Sequence, residues 1–253
     1  MKAAVFSYPP KVQVVEVPRP RVGEGEVLIR VKAVALCGTD LRIARRGHAD
    51  IPEGEKRILG HEVVGVIEEV GKGVEDLTPG MKVAVAPNYG CGKCYYYIQG
   101  LTHHCPEGKA LGITENGGFA EFMVVPQKAV FQGNIFPLPE ETDLVSIAFV
   151  EALACVVHGF LPLRVNFRDR VLIYGAGPIG LMFSELARLQ GAKELWMADL
   201  SEDRLKIAQE RGVKTIVVGK EKVKERIKEA DVVVVAAPSP DAQKEALEVA
   251  GVY

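Results

Sequence analysis

With 253 residues, 48% of them hydrophobic, the chain can bury one large core or two modest ones. A net charge of −2 gives no cationic excess to hold nucleic acid or an anionic membrane, and five cysteines are too few and odd-numbered for a disulfide framework, which argues for a reducing, cytoplasmic setting. The N-terminus meets prolines early and is no signal peptide, and the longest apolar run, around Val145–Val157, is interrupted by Glu151 and reads as too short to span a bilayer.

In chain order, residues 1–142 carry valine-rich runs at 12–17, 26–35, 62–70, 82–87 and 120–125, with partial period-two alternation. Turn signals such as PRPRVGEGE and TPGMK separate them, so this half is expected to be a mostly antiparallel, barrel-like β domain. At residue 143 the grammar changes. Residues 143–160 predict a capped, buried helix, on which Cys155 and His158 read as packing residues rather than ligands. Strands at 171–174, 194–199, 214–219 and 231–237 then alternate with helices at 178–190, 201–211 and 241–249. The Lys/Glu-rich stretch 220–229 reads as a solvated helix face. Such alternation predicts a parallel sheet with crossover helices, hence an α/β chain of two domains, 1–142 and 143–253.

Between the strand VLIY and the next helix lies Gly175-Ala176-Gly177-Pro178-Ile179-Gly180, with Asp199 nineteen residues beyond, at the end of the following strand. G-x-G-x-x-G alone is a weak signal; between a strand and a helix, with an acid at that distance, it fits a dinucleotide fingerprint. Gly175 permits the tight turn, Gly177 lets the backbone approach a pyrophosphate, and Gly180 lets the helix lie close to the strand. The helix N-terminus offers unpaired N–H groups to the anion. Asp199 would bond the ribose hydroxyls and repel a 2′-phosphate, so NAD is expected over NADP; Arg204, five residues on, is a cation that would soften that preference.

The first half holds the other chemistry. VALCGTD places Cys37 and LGHEVV places His61 and Glu62: a thiolate, an imidazole and a carboxylate, each acceptable to zinc. Taken singly, Cys37 reads better as a buried small residue and His61 as a satisfied core histidine than as ligands. The stretch NYGCGKCYYYIQGLTHHCP adds Cys91, Cys94 and Cys105, a C-x-x-C pair and a third cysteine.

Taken together, CGTD, GHE before an apolar strand, VGKGV, DLTPGMKVAV, CGKC, NGGFAEF, EALACVVHG and GAGPIG with its downstream acid resemble one family across essentially the whole chain. It is the zinc-dependent medium-chain dehydrogenase/reductase family, in its sorbitol, threonine and butanediol dehydrogenase branch. The resemblance implies a GroES-like first domain and a Rossmann second domain. It also implies zinc- and NAD-dependent hydride transfer from a small secondary alcohol, polyol or amino alcohol. Carried over residue by residue, it makes Cys37, His61, Glu62 and Glu151 the catalytic-zinc set, with Glu62 either a direct ligand or just behind one. It makes Thr39 the hydroxyl that hands the substrate proton outward and Asp40 the group that orients the histidine ligand; Arg42 stands where many relatives have a histidine.

Relatives also carry four cysteines around a structural zinc, in the spacing C-x2-C-x2-C-x7-C. Here the third place is Tyr97, which leaves three readings open: zinc on three thiolates with His103 or His104 as substitute, weak metal binding, or a metal-free lobe packed by tyrosines. Family members are usually homo-oligomers and run about a third longer. Against that length the resemblance implies an incomplete Rossmann sheet without the usual dimer edge. The alternative reading is a catalytically impaired homologue that binds zinc and the adenosine part of NAD.

Overall fold

The computed structural model describes residues 1–251. The chain forms two compact units, Met1–Glu151 and Ala152–Tyr253.

In the first unit the strand Val27–Ala35 lies at the centre, antiparallel to Glu62–Val70 on one side and to Phe122–Val125 on the other. Lys82–Val85 and Ile135–Pro137 extend the sheet to five strands. Period-two alternation does its usual work here. Val27, Ile29, Val63, Ile67, Val83, Val85, Met123 and Val125 all point into one core. A second sheet sets Lys2–Ser7 between Lys11–Glu16 and Lys56–Ile58. The runs expected from sequence are strands, though Lys11–Glu16 is exposed along its whole length, so its valines add nothing to the core.

A nine-residue helix, Gly38–Arg46, follows the central strand and has no counterpart among the expected elements. Its start signal is disguised. The N-cap is Cys37, whose sulfur accepts from the Thr39 N–H, while the Asp40 carboxylate accepts from the Cys37 N–H. This is a capping box with a thiol where Ser or Thr is usual and an aspartate where Glu is usual.

The segment from 143 corrects three expectations. It forms two helical pieces, Leu144–Ile147 and Val150–Phe160, with Asp143 as cap. It is not buried: Ala148, Ala152, Val156 and Phe160 face protein, but Val145, Phe149, Leu153, Val157 and Leu161 form an exposed row four residues apart. Both rows follow from the helical repeat, which a run of apolar residues all round conceals. Cys155 and His158 lie on the exposed side and are not core residues. The helical run Leu144–Leu163, at 20 residues, is also long and apolar enough to cross a membrane by length and composition alone. Its beginning packs on the first unit, where Leu144, Ile147, Ala148 and Val150 meet Ala35, Val64 and Ala84.

The second unit is a four-stranded parallel sheet in the order Lys214–Val217, Glu194–Asp199, Arg170–Tyr174, Val232–Val235. Its strands are near-continuous apolar runs because both faces are covered. One face meets the helices Pro178–Leu189 and Glu202–Gln209 through Ile173, Met197, Ala187, Leu205 and Ala208. The other meets Pro240–Val249 through Leu172, Trp196, Ala246 and Val249. In the Lys/Glu-rich stretch only Val223–Arg226 is helical, and Val223 and Ile227 are buried beneath it. The expected solvated helix face is one turn anchored by two apolar residues.

Candidate functional site

Cys37 and His61 are 24 residues apart in sequence and neighbours in space, for a simple reason. Ala35 pairs with Glu62 at the end of the central antiparallel ladder. Cys37 lies two residues past one strand end and His61 one residue before the other. The donor atoms of Cys37, His61 and Glu62 all lie within 4.8 Å of one another, with His61 and Glu62 buried.

Asp40 holds this corner together. It is 2% exposed; Oδ2 accepts from the Cys37 N–H at 3.0 Å and Oδ1 from the Gly60 N–H at 3.2 Å. The same Oδ1 lies 3.5 Å from His61 Nδ1, a buried nitrogen without a well-formed hydrogen bond. Behind His61 the backbone is closely packed. Gly60 has φ +91°, and a Cβ at Gly117 would stand 2.1 Å from the Gly60 carbonyl oxygen. The Gly118 N–H bonds that same oxygen at 2.8 Å. The GHE and NGGF motifs are therefore two sides of one tight crossing.

The electrostatics follow from the crowding. Burial disfavours the His61 imidazolium, yet hydrogen bonds and charge from Asp40 and Cys37 outweigh it and push His61 up to about 10. His61 in turn holds the Cys37 thiol below its ordinary value against the opposing effect of burial. Glu62 is raised, first by burial and next by the charge of Glu151, with His61 opposing. Glu151, half-buried in the first turn of Val150–Phe160, is near enough to be felt electrostatically but is not part of the tight trio. Zinc fits this corner on chemical grounds: thiolate, imidazole and carboxylate donors converge, and two of the three residues are buried. Thr39 lies two residues past Cys37 with its N–H 3.5 Å from the Cys37 sulfur, and its Oγ1 accepts from Arg42 Nη2 at 3.2 Å. Sequence reasoning noted Arg42 only as a departure; the i, i+3 spacing on a helix that was not anticipated would have paired the two.

The second cysteine group also comes together, with Cys91, Cys94 and Cys105 donors within 4.8 Å of one another. Two residues that sequence reasoning missed anchor its base. Gln132 exchanges two hydrogen bonds with the Gly90 backbone, and Asn134 Nδ2 bonds the carbonyls of Ala86 at 2.9 Å and Asn88 at 2.7 Å.

In the second unit Gly175 has φ +102°, in the left-handed region that favours glycine, at the turn out of the strand Arg170–Tyr174. Gly177 caps the helix Pro178–Leu189 without a side-chain bond, and Pro178 opens it, so the first N–H groups point out unclaimed. A Cβ at Gly177 would meet nothing within 4 Å, whereas one at Gly180 would lie 1.9 Å from the Gly175 oxygen. Ile179 is exposed on the first turn. Asp199 Oδ2 accepts from the Ala176 N–H at 2.7 Å and Oδ1 from the Ser201 N–H at 2.8 Å, which ties the second strand to the glycine loop. Each carboxylate oxygen keeps acceptor capacity for a ligand hydroxyl. Arg204 Nη1 stands 4.0 Å from Asp199 on an exposed side chain.

The sequence profile of the Alcohol dehydrogenase GroES-like domain matches residues 23–139. The chain is 36% identical over 239 residues to D-altritol 5-dehydrogenase of Agrobacterium fabrum, covering 92% of this chain and 68% of that one. The chain belongs to the medium-chain alcohol dehydrogenase superfamily. Among relatives in the superfamily, L-threonine 3-dehydrogenase of Cutibacterium acnes is 36% identical over 219 residues, 86% of this chain and 62% of its own. An alcohol dehydrogenase from Escherichia coli CFT073 complexed with NADH superposes with a TM-score of 0.89 at 32% identity, covering 99% of this chain and 73% of that one. The chain thus spans about two thirds of the length of the curated relatives it matches.

Proposed function

We propose that this chain carries the zinc corner and the dinucleotide loop of an NAD-dependent dehydrogenase acting on a small secondary alcohol, polyol or amino alcohol, in the cytoplasm. The observation that carries the reading is the convergence of Cys37, His61 and Glu62 donors within 4.8 Å on strand ends paired by Ala35 and Glu62. Cys37, His61 and a carboxylate of Glu62 or Glu151 would hold the zinc. When bound, zinc supplies Lewis acidity that makes an alcohol hydroxyl acidic near neutrality, and NAD supplies the hydride acceptor. Asp40 fixes the imidazole and the Cys37 backbone in register. Thr39 Oγ1 takes up the substrate's hydroxyl proton. Arg42 is only a donor toward Thr39 and offers no acceptor for that proton, so Thr39 passes its own hydroxyl proton to water as it accepts the substrate's. Gly177 and the free N–H groups of Pro178–Leu189 receive the pyrophosphate, while Asp199 addresses the ribose, which favours NAD over NADP.

The names of the relatives, a polyol and an amino-alcohol dehydrogenase, support the substrate class. The test is NADH formation at 340 nm with threonine, sorbitol, xylitol, altritol, 2,3-butanediol and simple secondary alcohols, with and without a zinc chelator. Turnover abolished by the chelator is expected. Tight NADH binding by folded, zinc-loaded protein, with no turnover on any alcohol, would overturn the reading.

A further inference from the structure

The lobe around residues 91–105 departs from the four-cysteine pattern in a way that changes which metal it can hold. The donors of Cys91, Cys94 and Cys105 lie within 4.8 Å of one another, and none of the three is in a disulfide. Each sulfur also accepts from backbone. Lys93 and Cys94 N–H groups stand 3.5 and 3.2 Å from Cys91 Sγ, the Cys91 N–H 3.2 Å from Cys105 Sγ, and the Tyr97 N–H 3.4 Å from Cys94 Sγ. Such donors favour thiolates, and the loop shape that supplies them aims the three sulfurs at one point.

No fourth ligand comes with them. Among the described residues, no histidine or carboxylate joins the three sulfurs within that radius. His103 and His104 lie against each other as tilted rings 4.1 Å apart between centroids, and His104 also lies against Tyr96 at 5.7 Å. Tyr97, in the third cysteine's place, packs its ring toward Gly90, where an added Cβ would stand 2.8 Å from Tyr97 Cδ2. The ring also lines a cleft of about 360 Å³ with Asn88, Thr102, Gln132 and Asn134. A phenol oxygen lies across a whole ring from the point where a cysteine sulfur would stop, and phenol oxygen is not among the usual ligands of zinc. Structural zinc sites are almost always closed and four-coordinate, so a structural zinc does not fit the residues present.

We propose that Cys91, Cys94 and Cys105 form an open three-sulfur site that takes a soft ion satisfied by three thiolates, cuprous copper foremost, in preference to zinc. This goes beyond the dehydrogenase reading and does not depend on it. The test uses the reduced wild-type chain with one equivalent of cuprous ion against a bicinchoninate competitor, or of zinc against a chromophoric chelator. Alkylation followed by peptide mass mapping then reports each cysteine separately, which keeps Cys37 apart from the lobe. Cuprous ion is expected to protect Cys91, Cys94 and Cys105 together and leave the exposed Cys155 labelled, whereas zinc gives the lobe no protection against the chelator. Tyr97→Cys, checked for folding by circular dichroism, should raise zinc affinity at the lobe about 100-fold or more, since losing a mere orienting partner of a ligand already costs about 10–100-fold. Equal labelling of the three cysteines with and without cuprous ion would overturn the proposal. So would zinc held equally well by the wild type and by Tyr97→Cys.

Discussion

Two glycines three residues apart in the dinucleotide loop separate what the fold needs from what a ligand needs. At Gly180 an added methyl would stand 1.9 Å from the Gly175 oxygen and 3.4 Å from Ile173 Cγ2, both parts of a packed turn. The helix Pro178–Leu189 would have to lift off the strand Arg170–Tyr174. Overpacking of this kind costs about 1–3 kcal/mol, less the roughly 0.4–1 kcal/mol that Gly→Ala recovers from the unfolded chain. At Gly177 the added methyl meets nothing within 4 Å, and the residue already has φ −81°, which alanine adopts freely. Alanine is a poorer N-cap than glycine by something under about 1 kcal/mol, and the entropic gain is about the same size. Gly177→Ala should therefore change stability by less than about 0.5 kcal/mol.

Cofactor binding should show the opposite order of sensitivity. If the pyrophosphate lies against the Gly177 backbone, its methyl occupies the ligand's space, and about 1–3 kcal/mol of overpacking weakens NADH roughly 10–100-fold. Thermal melts and NADH fluorescence titrations on both variants provide the assay. Gly180→Ala should lower Tm by about 4–8 °C for a loss near 2 kcal/mol, with Gly177→Ala within a degree or two of wild type. A Gly177→Ala protein that binds NADH as tightly as wild type, at equal stability, would refute the placement of the pyrophosphate. Equal melting losses in the two variants would refute the packing argument.

Asp40→Ala removes the acceptor of two N–H groups, on Cys37 and Gly60, and should cost about 2–5 kcal/mol in urea unfolding because donors are left unpaired at a buried corner; an unchanged midpoint would show that water replaces the carboxylate. Asn134→Leu leaves the carbonyls of Ala86 and Asn88 without their partner and should destabilise the first unit by about 1–3 kcal/mol, read by the same unfolding curve. Burial, and after it the hydrogen bond and charge of Glu115, raise Tyr89 above the ordinary tyrosine value. The unfolded chain therefore loses this proton near pH 10 while the folded one keeps it, so the Tyr89 contribution is complete below about pH 10 and declines above it. Tyr89→Phe should flatten that alkaline fall, and an identical slope in both proteins would count against the assignment.

How far the fold could be read in advance depended on whether periodicity carried the information. Val27 and Ile29, Val63 and Ile67, and Val83 and Val85 recur at even spacing because they share one core face, and those strands were legible even though Val64 and Ala84 on the other face are buried too. The parallel strands were legible as unbroken apolar runs because both faces are covered, as Leu172 and Ile173 show from opposite cores. Gly38–Arg46 was illegible because its cap is a cysteine and only Asp40 and Ile43 are buried along it. The segment from 143 misled in the other direction. With apolar residues on every side of the helix, composition could not say that Val145, Phe149, Leu153, Val157 and Leu161 remain at the surface.

The site was legible in its residue types and not in its reasons. Cys37 and His61 taken singly looked like ordinary buried residues, and only the pairing of Ala35 with Glu62 makes their separation of 24 residues a contact. The packing behind His61 explains why a substitution far away in sequence should still disturb the proposed metal corner. Gly117 lies 55 residues beyond Glu62, yet its Cα leaves no room for a methyl against the Gly60 carbonyl, whose own amide is held by Asp40. Gly117→Ala would push Gly60, and with it the start of the strand that presents His61 and Glu62. A shift of even half an ångström there matters, because a ligand set must be held within about 0.5 Å to keep its geometry. Zinc content should therefore fall in Gly117→Ala although no ligand is touched. Full zinc content at full stability would mean that the crossing of Gly60 and Gly117 serves the fold and not the metal.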